Sequence, residues 1–234
     1  MSGEVPTAHP DQRVPAATVV PLRDGPGGLE VLMLRRSSRG TFGGMWVFPG
    51  GQVDPADLTD AAASDEVTAA RVAAVREARE EAAIELDPAS LVVLSFWFPP
   101  PGAPRRYATW FFLAAAAGTA EVVVDQVEIH EHRWMRPSEA IGLRQTGVIE
   151  LAPPTFMTLW WLDQQADTEA AIAAAAAAAE PPRFETHLAT SAETGMSACL
   201  WAGDAGYDDA DMDRSGPRRR LVLDPAGWTV EMGR

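Results

Sequence analysis

Glu77, Glu80 and Glu81 fall within about one turn of each other in the run "RVAAVREAREEAAIEL", Arg71 to Leu86. Carboxylates at i, i+3 and i+4 share a patch of helix surface, and like charges so placed cost about 0.2–0.5 kcal/mol per pair in water. Two chemistries fit. The patch is a solvated acidic face, or a cation sits before it, and a hard divalent ion such as Mg²⁺ takes oxygen ligands of this kind. Arg76 precedes the first glutamate, placed either to orient a carboxylate or to pair with Glu80 one turn on. Upstream, "FPGGQVD" frees the backbone at Gly50 and Gly51, so that a carbonyl can complete an oxygen shell. Downstream, Glu128 and Glu131 offer a distant acid for metal or for a proton from water, or are exposed strand residues. His130 and His132 flank Glu131, as bases or as a surface pair; Mg²⁺ does not favour imidazole. Arg35, Arg36 and Arg39, and the pair Arg105-Arg106, are candidates to grip an anion or are plain surface charge.

These residues need elements to hold them. "VPAATVVPLRD" and "LEVLMLRRS" are β-prone runs separated by "GPGG", a hairpin signal with a longer, Gly-rich loop. A long helix is expected from about Ser64 to Glu85, with Val75, Ala78, Ala82 and Leu86 as its buried stripe and the three glutamates opposite. Asp87-Pro88 ends it. Strands are expected at "LVVLSFWF", "YATWFFLAA", "AEVVVD" and "EIHEHRWM"; Trp134 reads as core, and a short helix runs from Pro137 to about Leu143. Pro153-Pro154 opens a second long helix that Pro181-Pro182 closes, and the last fifty residues read as strands and loops, with a turn at "DPAG". Interspersed strands and helices define an α/β or α+β protein.

The composition narrows the partners. A net charge of −14 over 234 residues argues against broad electrostatic binding to nucleic acid or an anionic membrane. All 19 basic residues are Arg, so any phosphate contact from a basic side chain is a guanidinium contact. Cys199 stands alone, which fits a reducing, cytoplasmic setting. "MSGEVPTAHPDQR", residues 1–13, lacks a basic start followed by an apolar core and reads as a disordered tail. The chain ends "EMGR", without a Ser-Lys-Leu address.

The sequence resembles the Nudix box: Gly, five residues, Glu, seven residues, then Arg-Glu-apolar-any-Glu-Glu-any-Gly-apolar. Arg76, Glu77, Ala78, Glu80, Glu81 and Ile84 match position by position. Ala83 stands where the box has Gly. Between Gly51 and Arg76 lie 24 residues, eleven more than the pattern, placing an insertion at about 52–64. The early glutamate of the box is left unassigned; Thr68 holds its place counting back from Arg76, and Asp57, Asp65 and Glu66 are nearby acids. The resemblance implies a Nudix-type α/β/α sandwich with a mixed sheet over residues 14–150, followed by a helical and β-rich extension over 151–234. That extension has three readings: a cap over the site, a wall of the substrate pocket, or a homodimer interface.

The resemblance also implies metal-dependent hydrolysis of a nucleoside diphosphate linked to another group. Glu77, Glu80, Glu81 and the Gly50 carbonyl are the implied ligands for Mg²⁺ or Mn²⁺, Arg76 orients them, and Glu128 or Glu131 is the distal acid. Gly51 and the arginines Arg35, Arg36 and Arg39 would contact substrate. The enlarged box and "LMLRRSSRGTFGGMWVFPGG" are similar to the acyl-coenzyme A diphosphatase branch, in which Arg36-Ser37 and the Gly44-to-Phe48 spacing fit, while Thr41 stands where a later arginine is expected. That branch would cleave coenzyme A or an acyl-coenzyme A to 3′,5′-ADP and a phosphopantetheine, with "FWFPPPG" available to touch the acyl or pantetheine arm. The other readings are a Nudix hydrolase of ADP-ribose, nucleotide sugars or oxidised nucleotides, and a non-catalytic nucleotide-sensing regulator.

Overall fold

Along the long strands, successive apolar side chains point to opposite faces of a sheet, and here both faces are apolar. In the computed structural model, which describes residues 13–38, 42–58, 65–103, 105–116 and 122–233, the chain runs β1 (Arg13–Gly25), β2 (Gly28–Arg36), β3 (Trp46–Val47), β4 (Gly50–Gln52), α1 (Glu66–Ala82), β5 (Val92–Phe98), β6 (Arg106–Ala115) and β7 (Ile129–Met135). It continues through α2 (Pro137–Gln145), α3 (Pro153–Leu162), α4 (Thr168–Ala176), β8 (Arg183–Glu185), β9 (His187–Thr190), β10 (Ser197–Leu200), β11 (Arg218–Asp224) and β12 (Gly227–Gly233). The main sheet has eight strands in the order β3-β2-β1-β6-β5-β8, with β4 also paired to β1 and β7 to β2. β1 and β6 run parallel, as do β5 and β8; the other pairs are antiparallel, so the sheet is mixed, as expected. The second sheet, β12-β11-β10-β9, is antiparallel throughout.

On β6 the alternation is plain. Trp110, Phe112 and Ala114 join Ala17, Val19, Leu32 and Leu34 beneath α1, while Phe111 and Leu113 join Val20, Leu22 and Met33 beneath Phe156, Leu159 and Leu162 of α3 and Ala171 and Ala175 of α4. Helices therefore cover both faces, giving the α/β/α sandwich. Among the described residues, no helix is long and apolar enough to cross a membrane.

Several elements differ from the sequence expectation. The β1–β2 connection is tight: Gly25 pairs with Gly28, leaving only Pro26 and Gly27 in the turn. The left-handed φ of Gly28, 110°, closes it. The second long helix is broken in two, because Asp167 caps a new N-terminus by accepting from the Ala170 amide. The described part of "AEVVVD", residues 122–125, forms no strand; Asp125 instead accepts from the amides of Val127, Glu128 and Ile129 and holds a turn ahead of β7. α2 reaches Gln145, two residues beyond expectation. The "DPAG" turn stands as read, with Asp224 paired to Gly227. Residues 1–12 of the expected tail and 59–64 of the expected insertion lie outside the described residues; Arg13, read as tail, begins β1.

Candidate active site

α1 starts at Asp65, whose carboxylate accepts from the Val67 and Thr68 amides, and ends at Ala83 in the left-handed region at φ 54°. Its buried face includes Ala78 and Ala82 of the expected stripe but is centred further round, with Val75 and Leu86 only half-buried at its margin. Ala70, Ala73, Ala74, Ala78 and Ala82 line the core. At about 100° per residue, positions 77 and 81 adjoin that alanine stripe rather than oppose it. Glu81 is therefore buried, with 4% of its surface exposed, and Glu77 is half-buried; only Glu80 faces solvent. The small alanines let the helix lie close to the sheet and carry the two acids inward.

Both acids meet β4. The Gly50 amide donates to Glu81 Oε2 at 3.0 Å. A Cβ on Gly51 would collide with Glu77 Oε1, so any larger residue there would push that carboxylate out of its present position. Val19 donates to the Pro49 carbonyl and Val53 to the Pro15 carbonyl, so the backbone groups of Gly51 lie in step with the β1 ladder. Those of Gly50, one residue out of step, face the other edge, and its carbonyl shares that edge with the N–H that meets Glu81.

Arg76 ties the patch together. Its guanidinium donates twice to Asp57, from Nε to Oδ1 and from Nη2 to Oδ2, each at 3.0 Å. It also donates to Glu77 Oε1 at 2.9 Å, Glu80 Oε2 at 3.0 Å and the Gln52 carbonyl at 2.9 Å. Asp57 is the residue that sequence reasoning left aside. It is buried, accepts a further bond from the Asp54 amide, and stands six positions after Gly51, where the box has its early glutamate. Burial opposes its ionisation, yet Arg76 and the Asp54 amide together hold its carboxyl below the ordinary range. Counting forward from Gly51 finds it; counting back from Arg76 crosses the insertion and lands on Thr68. Thr68 and Asp65 instead bond each other at the helix start, and Glu66 accepts from the Trp110 indole.

Arg36 joins the patch to the distal acids. A register shift in the β2–β7 ladder lies between Arg35 and Arg36. Arg36 Nη1 reaches Glu81 Oε1 at 3.3 Å and Nη2 reaches Glu128 Oε2 at 2.6 Å. Arg35, by contrast, meets Glu131 at 3.4 Å on the exposed side. Glu128 is thus the distal acid connected to the helix acids, and Glu131 belongs to an outer pair. His130 is exposed and His132 half-buried. Arg39 lies outside the described residues. Arg105 donates to the Tyr107 hydroxyl, and Arg106 lies over the Phe98 ring and donates to the Pro99 carbonyl. In "FWFPPPG" the three aromatics are core: Phe96, Trp97 and Phe98 are all buried, which removes them as contacts for a substrate arm. Trp134 is half-buried, with the Arg23 guanidinium 4.3 Å from its ring.

The electrostatics follow from burial. Burial pushes the Glu81 carboxyl up to about 8; the Gly50 amide and Arg36 oppose this, and the charges of Glu77 and Glu128 add to it. Glu77 is raised for the same first reason, against Arg76 and with help from Glu80 and Glu128. A cluster of buried acids that resist ionising together is one in which a bound cation is favoured. The donors are all oxygen: two carboxylates and a backbone carbonyl edge. That set fits a hard divalent ion, and the residues that would hold it are Glu77, Glu81 and Gly50. Glu80 is engaged by Arg76 at the outer rim.

Comparison with known proteins bears on the fold and the family. The family model described as the NUDIX domain matches residues 12–155. A Caenorhabditis elegans protein named as nudix hydrolase 7 is 25% identical over 235 aligned positions, covering 83% of this chain and 77% of its own. The crystal structure of a NUDIX hydrolase from Alicyclobacillus acidocaldarius superposes with a TM-score of 0.62 at 24% identity, over 69% of this chain and 96% of that one. The NUDIX domain of Shewanella oneidensis NrtR, complexed with ADP ribose, matches at a TM-score of 0.49 and 16% identity, over 67% of this chain and 89% of its own. The chain belongs to the Nudix family. It is a hydrolase acting on pyrophosphate bonds, of a class that generally uses divalent metal ions.

Proposed function

We propose that the protein is a Mg²⁺- or Mn²⁺-dependent diphosphatase that cleaves coenzyme A or an acyl-coenzyme A to 3′,5′-ADP and the corresponding 4′-phosphopantetheine. The observation that carries the hydrolytic part is the burial of Glu81 beside the half-buried Glu77 against the Gly50–Gly51 strand, two carboxylates whose joint ionisation a cation would favour. Glu77, Glu81 and the Gly50 carbonyl would hold a divalent ion, which would supply charge neutralisation for the phosphates and a more readily ionised water. Arg76 positions the carboxylates through Glu77 and Asp57. Glu128 accepts the proton of the attacking water as its oxygen bonds to phosphorus. The bridging P–O bond breaks, and the released phosphate oxygen takes up a proton in turn. Arg35 and Arg36 supply guanidinium contacts to the phosphates.

Coenzyme A is supported by the similarity of residues 32–51 to the segment preceding the box in coenzyme A-cleaving members, and by the surface beside the acids. The Ser37 amide donates to the Glu128 carbonyl at 2.7 Å, joining the turn after β2 to the turn before β7. From these two turns Phe42, at φ 64°, and Val127 present apolar surface to solvent, 43% and 76% exposed. Exposed apolar side chains on two joined turns would suit the acyl chain of an acyl-coenzyme A. Incubation with coenzyme A and Mg²⁺, read by chromatography, should yield 3′,5′-ADP and 4′-phosphopantetheine. Cleavage of ADP-ribose or a nucleoside triphosphate with coenzyme A left intact would assign the site to another diphosphate.

A further inference from the structure

A carboxylate with 4% of its surface exposed needs a positive partner when ionised, and in this protein the partner is a side chain. The Arg36 guanidinium bridges Glu81 Oε1 and Glu128 Oε2, two acids separated by 47 residues in sequence. Its two contacts are unequal: 2.6 Å to the exposed Glu128 and 3.3 Å to the buried Glu81. The short contact anchors the guanidinium outside, and the long one reaches inward to the acid that a cation would need. Glu81 has only two oxygens. One accepts from the Gly50 amide and the other faces Arg36, so a dication at Oε1 would share that oxygen with a guanidinium whose positive charge it repels.

We propose that Arg36 is a displaceable internal cation: in the metal-free protein its guanidinium occupies Glu81 Oε1 from the Glu128 side, and it releases Glu81 when a divalent ion binds. This rests on the reading of Glu77, Glu81 and Gly50 as the metal site. Freed from Glu81 but still held on β2, the guanidinium becomes available to the anionic substrate that arrives with the metal. Metal binding and readiness for phosphate are thereby coupled through one residue. A guanidinium suits this role because it binds carboxylate and phosphate in the same bidentate manner and keeps its charge throughout.

Direct titration of Mn²⁺ by calorimetry, or by the electron paramagnetic resonance signal of free Mn²⁺, tests this without substrate. Removing the competitor in Arg36→Gln should tighten Mn²⁺ binding by about tenfold, the scale of a typical coupling between ligands. Arg133→Gln removes the same charge from the β7 surface, where Arg133 pairs with Glu139 at 3.3 Å, and should change the affinity less than about twofold, since exposed charges are screened. Arg36→Lys, which keeps the charge but cannot span both acids, should fall between wild type and Arg36→Gln; it serves also if Arg36→Gln does not fold. Unchanged or weaker Mn²⁺ binding in both Arg36 variants, with wild type binding normally, overturns the displacement while leaving the metal site standing. Equal tightening in Arg133→Gln reduces the effect to general charge and overturns it too. Wild-type protein that binds no Mn²⁺ overturns this inference and the metal site together.

Discussion

Glu81 is a carboxylate that water barely reaches, and the chemistry depends on its charge rather than its shape. Glu81→Gln keeps the volume and an oxygen to accept from the Gly50 amide, and removes only the charge. It should lower kcat by at least about a hundredfold while leaving the melting temperature near that of wild type, since the cost falls on metal and transition state rather than on packing. Steady-state rates with calorimetric melting on the same samples check both halves. Asp57 acts one step further back. Its carboxylate fixes Arg76, and through it Glu77, Glu80 and the Gln52 carbonyl. Asp57→Asn leaves Arg76 under-neutralised in a half-buried setting. It should cost about 3 kcal/mol of stability and weaken Mn²⁺ binding by about 10- to 100-fold. Denaturant unfolding and metal titration read the two effects separately. Much of this site was legible from residue types and spacing: Arg76, Glu77 and Glu81 stand where the box pattern puts them. The burial of Glu81 was not legible, because the core face of α1 is built of alanines that a search for large apolar residues passes over. Nor was the Arg36 bridge, since strand pairing with its register shift brings together residues 92 positions apart.

At the scale of elements, the end of α1 shows how a motif position becomes a conformation. The box has Gly at position 83, and here Ala83 occupies a left-handed φ of 54° that closes the helix through its amide bonds to the Ala78 and Arg79 carbonyls. Ala83 lies inside the helix expected to run to about Glu85, and in the structure it is the residue that ends it. A side chain in that region costs on the order of 1 kcal/mol. Ala83→Gly relieves that cost but loosens the unfolded chain, so a gain of about 0.5 kcal/mol is expected, seen as a higher denaturant midpoint at unchanged slope. The second sheet carries a different device. Asp204 and Arg220, 0% and 2% exposed, pair through two hydrogen bonds at 2.7 and 2.6 Å, and Asp204 also accepts from the Arg219 and Gly206 amides. Burial works against the Asp204 charge, but Arg220 and the two amides prevail, so its carboxyl lies below the ordinary 3.8. A depressed folded pKa contributes stability that is complete above 3.8 and is lost as the pH falls through the folded value. Asp204→Asn should therefore be less stable than wild type by about 3 kcal/mol at neutral pH, with the gap narrowing below pH ~4 in denaturant titrations. The broken second helix belongs here too: an alanine-rich run hides a break that depends on Asp167 finding the Ala170 amide.

The whole molecule makes the C-terminal part a partner of the sheet that holds the site. β8 pairs in parallel with β5, matching Phe96 to Arg183 and Phe98 to Glu185. Around that pairing Trp97 stacks on Phe184 with ring centroids 4.0 Å apart, and the buried Trp201 meets both edge-on at 5.6 and 5.2 Å. On the same face, α3 and α4 cover Val20, Leu22, Met33 and Leu113, strand residues whose neighbours on the opposite face pack under α1. A chain ending at Glu150 would leave this face bare, and an apolar sheet surface of that extent in water favours a loosened or associated state. Such a truncated chain should bind a hydrophobic dye, lose its near-ultraviolet circular dichroism and unfold without a sharp transition. Because deletion is a blunt instrument, Trp201→Ala in the full chain supplies the graded version. Removing an indole buried against Trp97 and Phe184 should cost about 3–5 kcal/mol, and because β5 lies in the same sheet as β1 and β4, metal affinity should fall only as the folded fraction falls. A truncated chain that melts cooperatively at the full-length temperature would show that the sheet stands without its second cover. Loss of Mn²⁺ binding in fully folded Trp201→Ala would instead show that the C-terminal part reaches the acids directly.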